Sequence, residues 1–366
     1  MEALAGPEIS IVVPTFNERA NVEELVRRIG VALQGVAWEV IVVDDDSTDG
    51  TAGLVNDLAR TDHRVRCIQR IGRRGLSSAC IEGFLASSAP YLAVIDGDLQ
   101  HDEAVLPAML ETLRRGDVDI VVGSRYMAGG GVGDWDAGRV RLSRFSTLLA
   151  KKTLRVVLSD PMSGFFAVRR DVVHEVVRDL SGIGFKILLD IFSSSKRPLR
   201  FRELPFEFRA RHAGESKVDS IVALDFLTML LQKKFGWFIP SRLVYFSLIG
   251  GVGVAVHLAA FTTAFHGFSQ FFWPSQTIAA LLAMVTNFAL NNIVTYRDQR
   301  LSGRAWFRGL FVFCLVCSVG VLGNVGVSSY IFRGGGPWLP SVLAGLLIGT
   351  VWNYAATAFY VWRPRR

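Results

Sequence analysis

The stretch Tyr91-Leu-Ala-Val-Ile-Asp-Gly-Asp-Leu-Gln-His101 decides the fold, because a short apolar run passes directly into two acidic residues one position apart. Leu92–Ile95 offers apolar side chains to both faces, as a strand covered by helices on either side requires. The same device recurs upstream. Ile9–Val13 is a β-rich run stopped at Pro14, and Asn21–Leu33 follows with Val22, Leu25, Val26 and Ile29 at helical spacing. Val40–Val43 ends in Asp44-Asp-Asp-Ser-Thr-Asp-Gly-Thr51, where Asp46, Ser47 and Asp49 are candidates to cap a helix starting near Thr51. Val65–Ile68, a helix from about Leu76 to Ala86, and Ile120–Val122 continue the alternation. Strands alternating with helices predict an α/β domain with a mostly parallel sheet. Ligands of such sheets sit beyond the carboxyl ends of the strands, which gathers Pro14–Glu18, Asp44–Asp49, Asp96–His101 and Gly123–Arg125 on one edge.

Half of the 366 residues are apolar, too many for a purely soluble chain of this length. The excess lies beyond Leu243, in segments approximately Leu243–Phe265, Phe272–Val294, Gly309–Phe332 and Leu339–Trp362, each long enough for a bilayer, which takes ~20 residues. Arg297, Arg300, Arg304 and Arg308 crowd the loop between the second and third segments, and Arg363, Arg365 and Arg366 end the chain. The other loops offer only Arg333, so the bias of basic residues predicts four spans with both termini cytoplasmic. A basic amphipathic helix over Arg139–Leu158 and an apolar one over Val218–Phe235 are candidates to lie in the membrane interface. The expected divisions are 1–217, an interfacial helix and linker over 218–240, and an all-α membrane domain over 241–366. That last domain carries an internal repeat: Val285–Arg297 aligns with Val351–Arg363, and Val252–His257 with Val319–Asn324. The formal charge of +7 comes without the interleaved basic and aromatic strip of a nucleic-acid binder, so anionic lipid or phosphate is the expected partner. Cys67, Cys80, Cys314 and Cys317 lack the spacing of a zinc or redox site, and no signal peptide precedes the first strand.

Two carboxylates held close repel unless a divalent cation sits between them and a diphosphate. Asp96 and Asp98 are therefore candidate metal ligands; Gln100 adds a neutral oxygen, and the all-oxygen set favours Mg²⁺ or Mn²⁺ over zinc. Asp44 and Asp45 end a neighbouring strand, where a carboxylate can accept hydrogen bonds from a nucleobase or ribose. Pro14-Thr-Phe-Asn-Glu18 can offer backbone and a carboxylate to the same nucleoside.

Seven motifs in order carry a specific resemblance: Pro14–Glu18, Val43–Thr51, Asp96–His101, Gly123-Ser-Arg-Tyr126, Ser163-Gly-Phe-Phe166, Gly184-Phe-Lys-Ile187 and Gly214-Glu-Ser-Lys217. Over about Ile9 to Lys217 the chain resembles family 2 inverting glycosyltransferases of the dolichol-phosphate (polyprenyl-phosphate) mannose synthase type, and its four spans resemble GtrA-like membrane domains. The resemblance implies a Rossmann-like GT-A fold, a GDP-mannose donor and a polyprenyl or dolichyl phosphate acceptor in the lipid bilayer. By motif, Asp96, Asp98 and Gln100 would hold the metal, and Pro14, Phe16, Glu18, Val43, Asp45 and Gly97 would line the nucleotide. Arg125, Arg139, Ser143, Arg211 and Lys217 would gather the donor and acceptor phosphates, with Asp98, Arg125 and Arg211 nearest the chemistry. Asp46 stands where the family commonly has Asn or Gly, Ser77-Ser78 where Gly is frequent, and Asp190 where Glu is common.

A phosphate monoester is anionic at neutral pH, so it needs charge neutralisation more than a general base to attack an anomeric carbon. Arginine forks supply that, and a metal stabilises the departing diphosphate. The resulting expectation is a metal-dependent transferase making polyprenyl-phosphate mannose at the cytoplasmic face of the plasma membrane. Its rivals are the same reaction from UDP-glucose or another sugar nucleotide, and a lipid-sugar flippase or scaffold.

Overall fold

The structure, a computed structural model, describes residues 6–131, 158–182, 184–209, 228, 230, 241–269, 272–296 and 299–362. The chain forms two compact units, Met1–Gly236 and Trp237–Arg366.

In the first unit seven strands make one sheet in the order β3-β2-β1-β4-β6-β5-β7. These are β1 (Ile9–Thr15), β2 (Trp38–Asp44), β3 (Val65–Gln69), β4 (Tyr91–Val94), β5 (Ile120–Ser124), β6 (Phe166–Arg169) and β7 (Phe201–Pro205). All pairings are parallel except those of β6, which runs antiparallel to both β4 and β5. The strands alternate with α1 (Arg19–Ala32), α2 (Thr51–Thr61), α3 (Leu76–Ala86) and α4 (Leu106–Arg114), followed by α5 (Arg170–Val176) and α6 (Ile187–Ser194).

The two-residue period of each strand divides its side chains between two cores. Ile11, Val13, Val40, Val42, Ala93 and Val121 pack on α1 and α4 through Leu25, Ile29, Met109 and Leu110. Val12, Ile41, Val43, Leu92, Val94 and Val122 pack on the opposite side, against Cys80 and Phe84 of α3, Val173 of α5 and Leu188 of α6. Burial on both faces is what the unbroken apolar runs predicted.

The second unit comprises α7 (Ser241–Ala264), α8 (Phe272–Leu290), α9 (Gly303–Arg333) and α10 (Trp338–Tyr360), with α7 packed on α8 and α9 on α10. Among the described residues, three helical stretches are long and apolar enough to cross a membrane: Arg242–Gly267, Thr277–Thr295 and Gly303–Ile331. The fourth helix, α10, has 23 residues but is not among these three. An aromatic cluster closes one end of the unit, where Trp362 stacks on Tyr296 at 4.1 Å and beside Phe288 at 5.5 Å. Asn292 ties this cluster together, accepting from Leu301 N at 2.8 Å and Trp362 Nε1 at 3.1 Å and donating to Leu301 O at 3.0 Å. The two hairpins share a further device. The Asn287 carboxamide lies over Gly253 and the Asn353 carboxamide over Gly320, where an added Cβ would come within 2.3 Å and 2.0 Å of the amide oxygens. The sequence repeat equates those positions, so glycine in each hairpin clears the space its asparagine fills.

Candidate active site

The antiparallel insertion of β6 builds the site. Because Val94 of β4 pairs with Phe166 of β6, the carboxyl end of one strand meets the amino end of the other. Asp96 and Gly164 thereby face each other so closely that a Cβ on Gly164 would lie 2.9 Å from Asp96 Oδ2. Thr15, the last residue of β1, and Glu18 beyond it approach the other flank at Gly97, and Arg125 enters from the end of β5.

Asp96 Oδ1 is buried and accepts no hydrogen bond among the described residues. Burial, then the neighbouring Asp98, push the Asp96 carboxyl above the usual carboxylate range, against the pull of Lys186 and Arg125. Its backbone N–H donates to His101 Nδ1 at 3.3 Å. That imidazole is buried among Phe165, Phe206 and Phe208, each ring centroid 5.4 Å away, and burial pushes its pKa down to about 4. His101 is thus a neutral acceptor that fixes the start of the acidic loop. Asp98 Oδ1 accepts from Gln100 N at 3.2 Å while Leu99 between them takes φ +62°. Gln100 donates its Nε2 to Arg209 O at 3.0 Å, and its Oε1 has no hydrogen-bond partner among the described residues.

Mg²⁺ is usually held by one or two carboxylates together with substrate phosphates and waters, without a complete protein cage. The residues present fit that description. Among the described residues no three His, Cys, Asp or Glu side chains converge on one point, yet Asp96 has an orphaned buried oxygen beside Asp98.

The end of β2 is organised differently. Asp44 Oδ2 accepts from Ser47 N at 2.9 Å and its Oδ1 from Ser47 Oγ at 2.5 Å and Thr15 Oγ1 at 3.2 Å, so its carboxylate belongs to the turn. Asp45 accepts from Gly75 N at 2.6 Å and pairs with the buried Arg70 at 2.9 Å. Burial raises the Asp45 pKa, opposed by that N–H and by Arg70. Asp45 reaches a nucleoside only past these partners. The Val43 side chain is fully buried in the core on the α3 side of the sheet, leaving its backbone to face a ligand. Pro14 is likewise buried, as the penultimate residue of β1. Phe16 is half-buried, with the Arg74 guanidinium 4.0 Å above its ring, and Glu18 accepts from Asn21 Nδ2 at 2.9 Å.

The expected caps of α2 also shift. Asp49 accepts from Thr51 N and Oγ1, Ser47 instead accepts from Asn17 N, and Asp46 adopts φ +58°. This left-handed conformation, which Asn, Gly and Asp tolerate, explains the residue types at that position.

Arg125 holds no open fork. Its Nε and Nη2 grip Asp160 at 2.7 and 2.9 Å, and Asp160 is fully buried. Glu203 in turn accepts from Ser159 N, Ser159 Oγ and Asp160 N, fixing that carboxylate in place. Arg125 is therefore a cation at the edge of the site whose Nε and Nη2 are already committed to Asp160. Lys186 stands near the same charges, donating to Met162 O at 3.3 Å; burial, then Arg125, push its pKa down to about 8. The motif Gly184-Phe-Lys-Ile187 held Lys186 in plain view, whereas nothing in Ser159-Asp160 signalled a buried counter-charge. Asp190 accepts from Ser181 and serves the loop before α6. Gly129–Gly131 is held to the strand edge by Gly131 N to Phe206 O and Phe208 N to Gly131 O. Arg139, Ser143, Arg211 and Lys217, together with both candidate interfacial helices, lie outside the described residues, apart from Leu158, Thr228 and Leu230.

Residues 10–177 match Glycosyl transferase family 2, and residues 245–362 match the GtrA/DPMS transmembrane domain. A dolichol-phosphate mannosyltransferase of Pyrococcus furiosus is 34% identical over 366 aligned residues, covering 97% of this chain and 99% of that protein. One of Saccharomyces cerevisiae is 34% identical over 65% of this chain and 91% of its own. A solved structure of glucosyl-3-phosphoglycerate synthase from Mycobacterium tuberculosis, in complex with Mn²⁺, UDP and glucosyl-3-phosphoglycerate, matches 63% of this chain and 81% of that chain at 23% identity and a TM-score of 0.47. A strand-end acidic pair in a GT-A-type sheet, a membrane domain and full-length identity to such an enzyme converge: the chain belongs to the dolichol-phosphate mannosyltransferase family of glycosyltransferases.

Proposed function

We propose that the protein transfers mannose from GDP-mannose to a polyprenyl or dolichyl phosphate, with inversion, at the cytoplasmic face of the plasma membrane. The observation that carries this reading is the orphaned carboxylate oxygen of Asp96 beside Asp98, on the carboxyl edge of the sheet, in a chain whose relatives are dolichol-phosphate mannosyltransferases. Asp96, Asp98 and Gln100 would hold Mg²⁺ or Mn²⁺, which when bound neutralises the diphosphate of the leaving nucleotide. An oxygen of the acceptor phosphate attacks the anomeric carbon from the face opposite the diphosphate; the new C–O bond forms as the sugar–diphosphate bond breaks and GDP leaves. Phe16 with Arg74, Glu18, and the backbone of Pro14 and Val43 would border the nucleoside. Lys186 and Arg125 supply positive charge beside the acidic loop, and Arg139, Ser143, Arg211 and Lys217 are the proposed further phosphate contacts. His101 and Gly164 set where the Asp96 carboxylate stands. Four spans and cytoplasmic termini complete the proposal, on the strength of the arginine-rich 297–308 loop and C-terminus.

The test is transfer from labelled GDP-mannose or UDP-glucose to a short-chain polyprenyl phosphate by full-length protein in detergent, with Mn²⁺ or chelator. A β-linked mannosyl product that requires cation supports the reading. Preference for UDP-glucose overturns the donor, retention at the anomeric carbon overturns the stereochemistry, and indifference to chelator overturns the metal.

A further inference from the structure

The chain leaves β7 at Pro205 and continues beside the site. Phe206 O accepts from Gly131 N at 3.2 Å and Phe208 N donates to Gly131 O at 3.0 Å. The next residue, Arg209, turns instead to the acidic loop. Its N–H donates to Gln100 O at 2.9 Å and its carbonyl accepts from Gln100 Nε2 at 3.0 Å, joining positions 109 apart in sequence. Its guanidinium grips the same loop again, Nη2 on Asp102 Oδ1 at 2.6 Å and Nη1 on Glu103 Oε2 at 2.8 Å. Glu103, 8% exposed, otherwise pairs with Arg28 at 3.8 Å, and Asp102 also accepts from Ala104 N at 3.2 Å.

A carboxamide can turn either its oxygen or its NH₂ toward a ligand, and the hydrogen bond made by one end decides which. With Nε2 spent on Arg209 O, the buried Gln100 amide keeps Oε1 for a cation. That bond depends on where the Arg209 carbonyl stands, and two charge-assisted hydrogen bonds from the same residue's side chain hold it there. Without them the Arg209 backbone rests on Gln100 alone, and the amide is released to present hydrogens to a cation. We propose that Arg209 is a positioning residue for the metal: Asp102 and Glu103 hold its guanidinium so that its carbonyl keeps Gln100 Oε1 available as a ligand. This inference rests on the reading of Asp96, Asp98 and Gln100 as metal ligands.

The test is Mn²⁺ binding to full-length protein in detergent, followed by electron paramagnetic resonance with GDP and, separately, with UDP. Arg209→Leu should weaken Mn²⁺ by about tenfold or more, the range for outer partners of a metal site. Arg209→Lys, which keeps the charge but not the fork, should recover about threefold of that loss. In a Gln100→Ala background Arg209→Leu should change affinity by less than about twofold, because its effect passes through that amide. A loss of undiminished size in that background assigns Arg209 to packing and overturns the proposal, as does wild-type affinity in Arg209→Leu. Since Arg209→Leu also unpairs a buried carboxylate, Asp102→Asn is the milder variant: it keeps an acceptor for Ala104 N and loses the charge. It should weaken Mn²⁺ by about threefold, and wild-type affinity there counts against the proposal equally. Wild-type protein that binds no Mn²⁺ with either nucleotide overturns the metal reading and this inference together; the other failures overturn the role of Arg209 and leave the metal reading standing.

Discussion

The carboxyl ends of β2 and β4 both carry adjacent acidic residues, yet they are used in opposite ways. At β2, Asp44 is consumed by Ser47 and Thr15, and Asp45 by Gly75 and Arg70. At β4, Asp96 keeps a buried oxygen with no hydrogen bond among the described residues and sits beside a second carboxylate. Asp45 Oδ1 also lacks a hydrogen bond among the described residues, but it faces the Arg70 guanidinium at 2.9 Å, so an acidic strand end whose charge is matched by its own chain holds a turn. One that is left unmatched, and is repelled by its neighbour, is where the proposed function places a cation that the chain does not supply.

The largest effect should therefore fall on β4. Asp96→Asn and Asp98→Ala are expected to lower mannosyl transfer by on the order of 10²–10³-fold, the scale for losing a group that stabilises developing charge. Asp96→Asn should also raise the thermal midpoint of metal-free protein at pH 8, by removing one of two repelling charges. A midpoint that falls would mean the pair is not frustrated. Asp45→Ala reverses the pattern: it leaves the buried Arg70 with only Gly75 O, Ser78 Oγ and the more distant Glu82 among the described residues, and should cost about 1–3 kcal/mol in chemical denaturation. Little change in stability there would erase the distinction between the two ends.

Smaller effects sharpen it. His101→Phe keeps the aromatic packing but loses the acceptor for Asp96 N–H, and should weaken Mn²⁺ binding roughly 10- to 100-fold, as for other outer partners of a metal site. His101→Asn places an acceptor near Nδ1 and should recover much of that loss by electron paramagnetic resonance titration. Gly164→Ala pushes on Asp96 Oδ2 and should reduce turnover by about tenfold, or about 1.4 kcal/mol in barrier. Away from both ends, Asp119 provides the smallest signal. Burial acts to raise its pKa, but hydrogen bonds from Arg200 and Arg197 outweigh it and hold the carboxyl below its ordinary 3.8. A lowered folded pKa contributes stability above the unfolded value and loses it as pH falls, so Asp119→Asn should flatten the acid limb of the stability curve below about pH 4.

The alternation of strand and helix was legible because each central strand is apolar on both faces, a pattern that survives without any tertiary knowledge. Helix α3 was read from Leu76 to Ala86, the residues it occupies. β6 and β7 escaped notice because Phe166–Arg169 has four residues, while Phe201–Pro205 is a short edge strand whose side chains are only partly buried. Missing β6 hid the approach of Gly164 to Asp96, since that contact exists only when an antiparallel strand is inserted. The buried partner of Arg125 is hidden from the sequence for a related reason: Asp160 is 35 residues away, and no local pattern announces a distant counter-charge.

By itself, then, the sequence determined the layered α/β sheet, the edge on which its ligands must sit, the apolar segments that follow and the ordered motifs of a glycosyltransferase, because periodicity and strand-end composition are local properties. Only the tertiary structure decided which carboxylates are already satisfied. Pairing is settled by partners brought from elsewhere in the chain, Arg70 and Gly75 to Asp45, Asp160 to Arg125, and, among the described residues, no hydrogen-bond donor to Asp96 Oδ1.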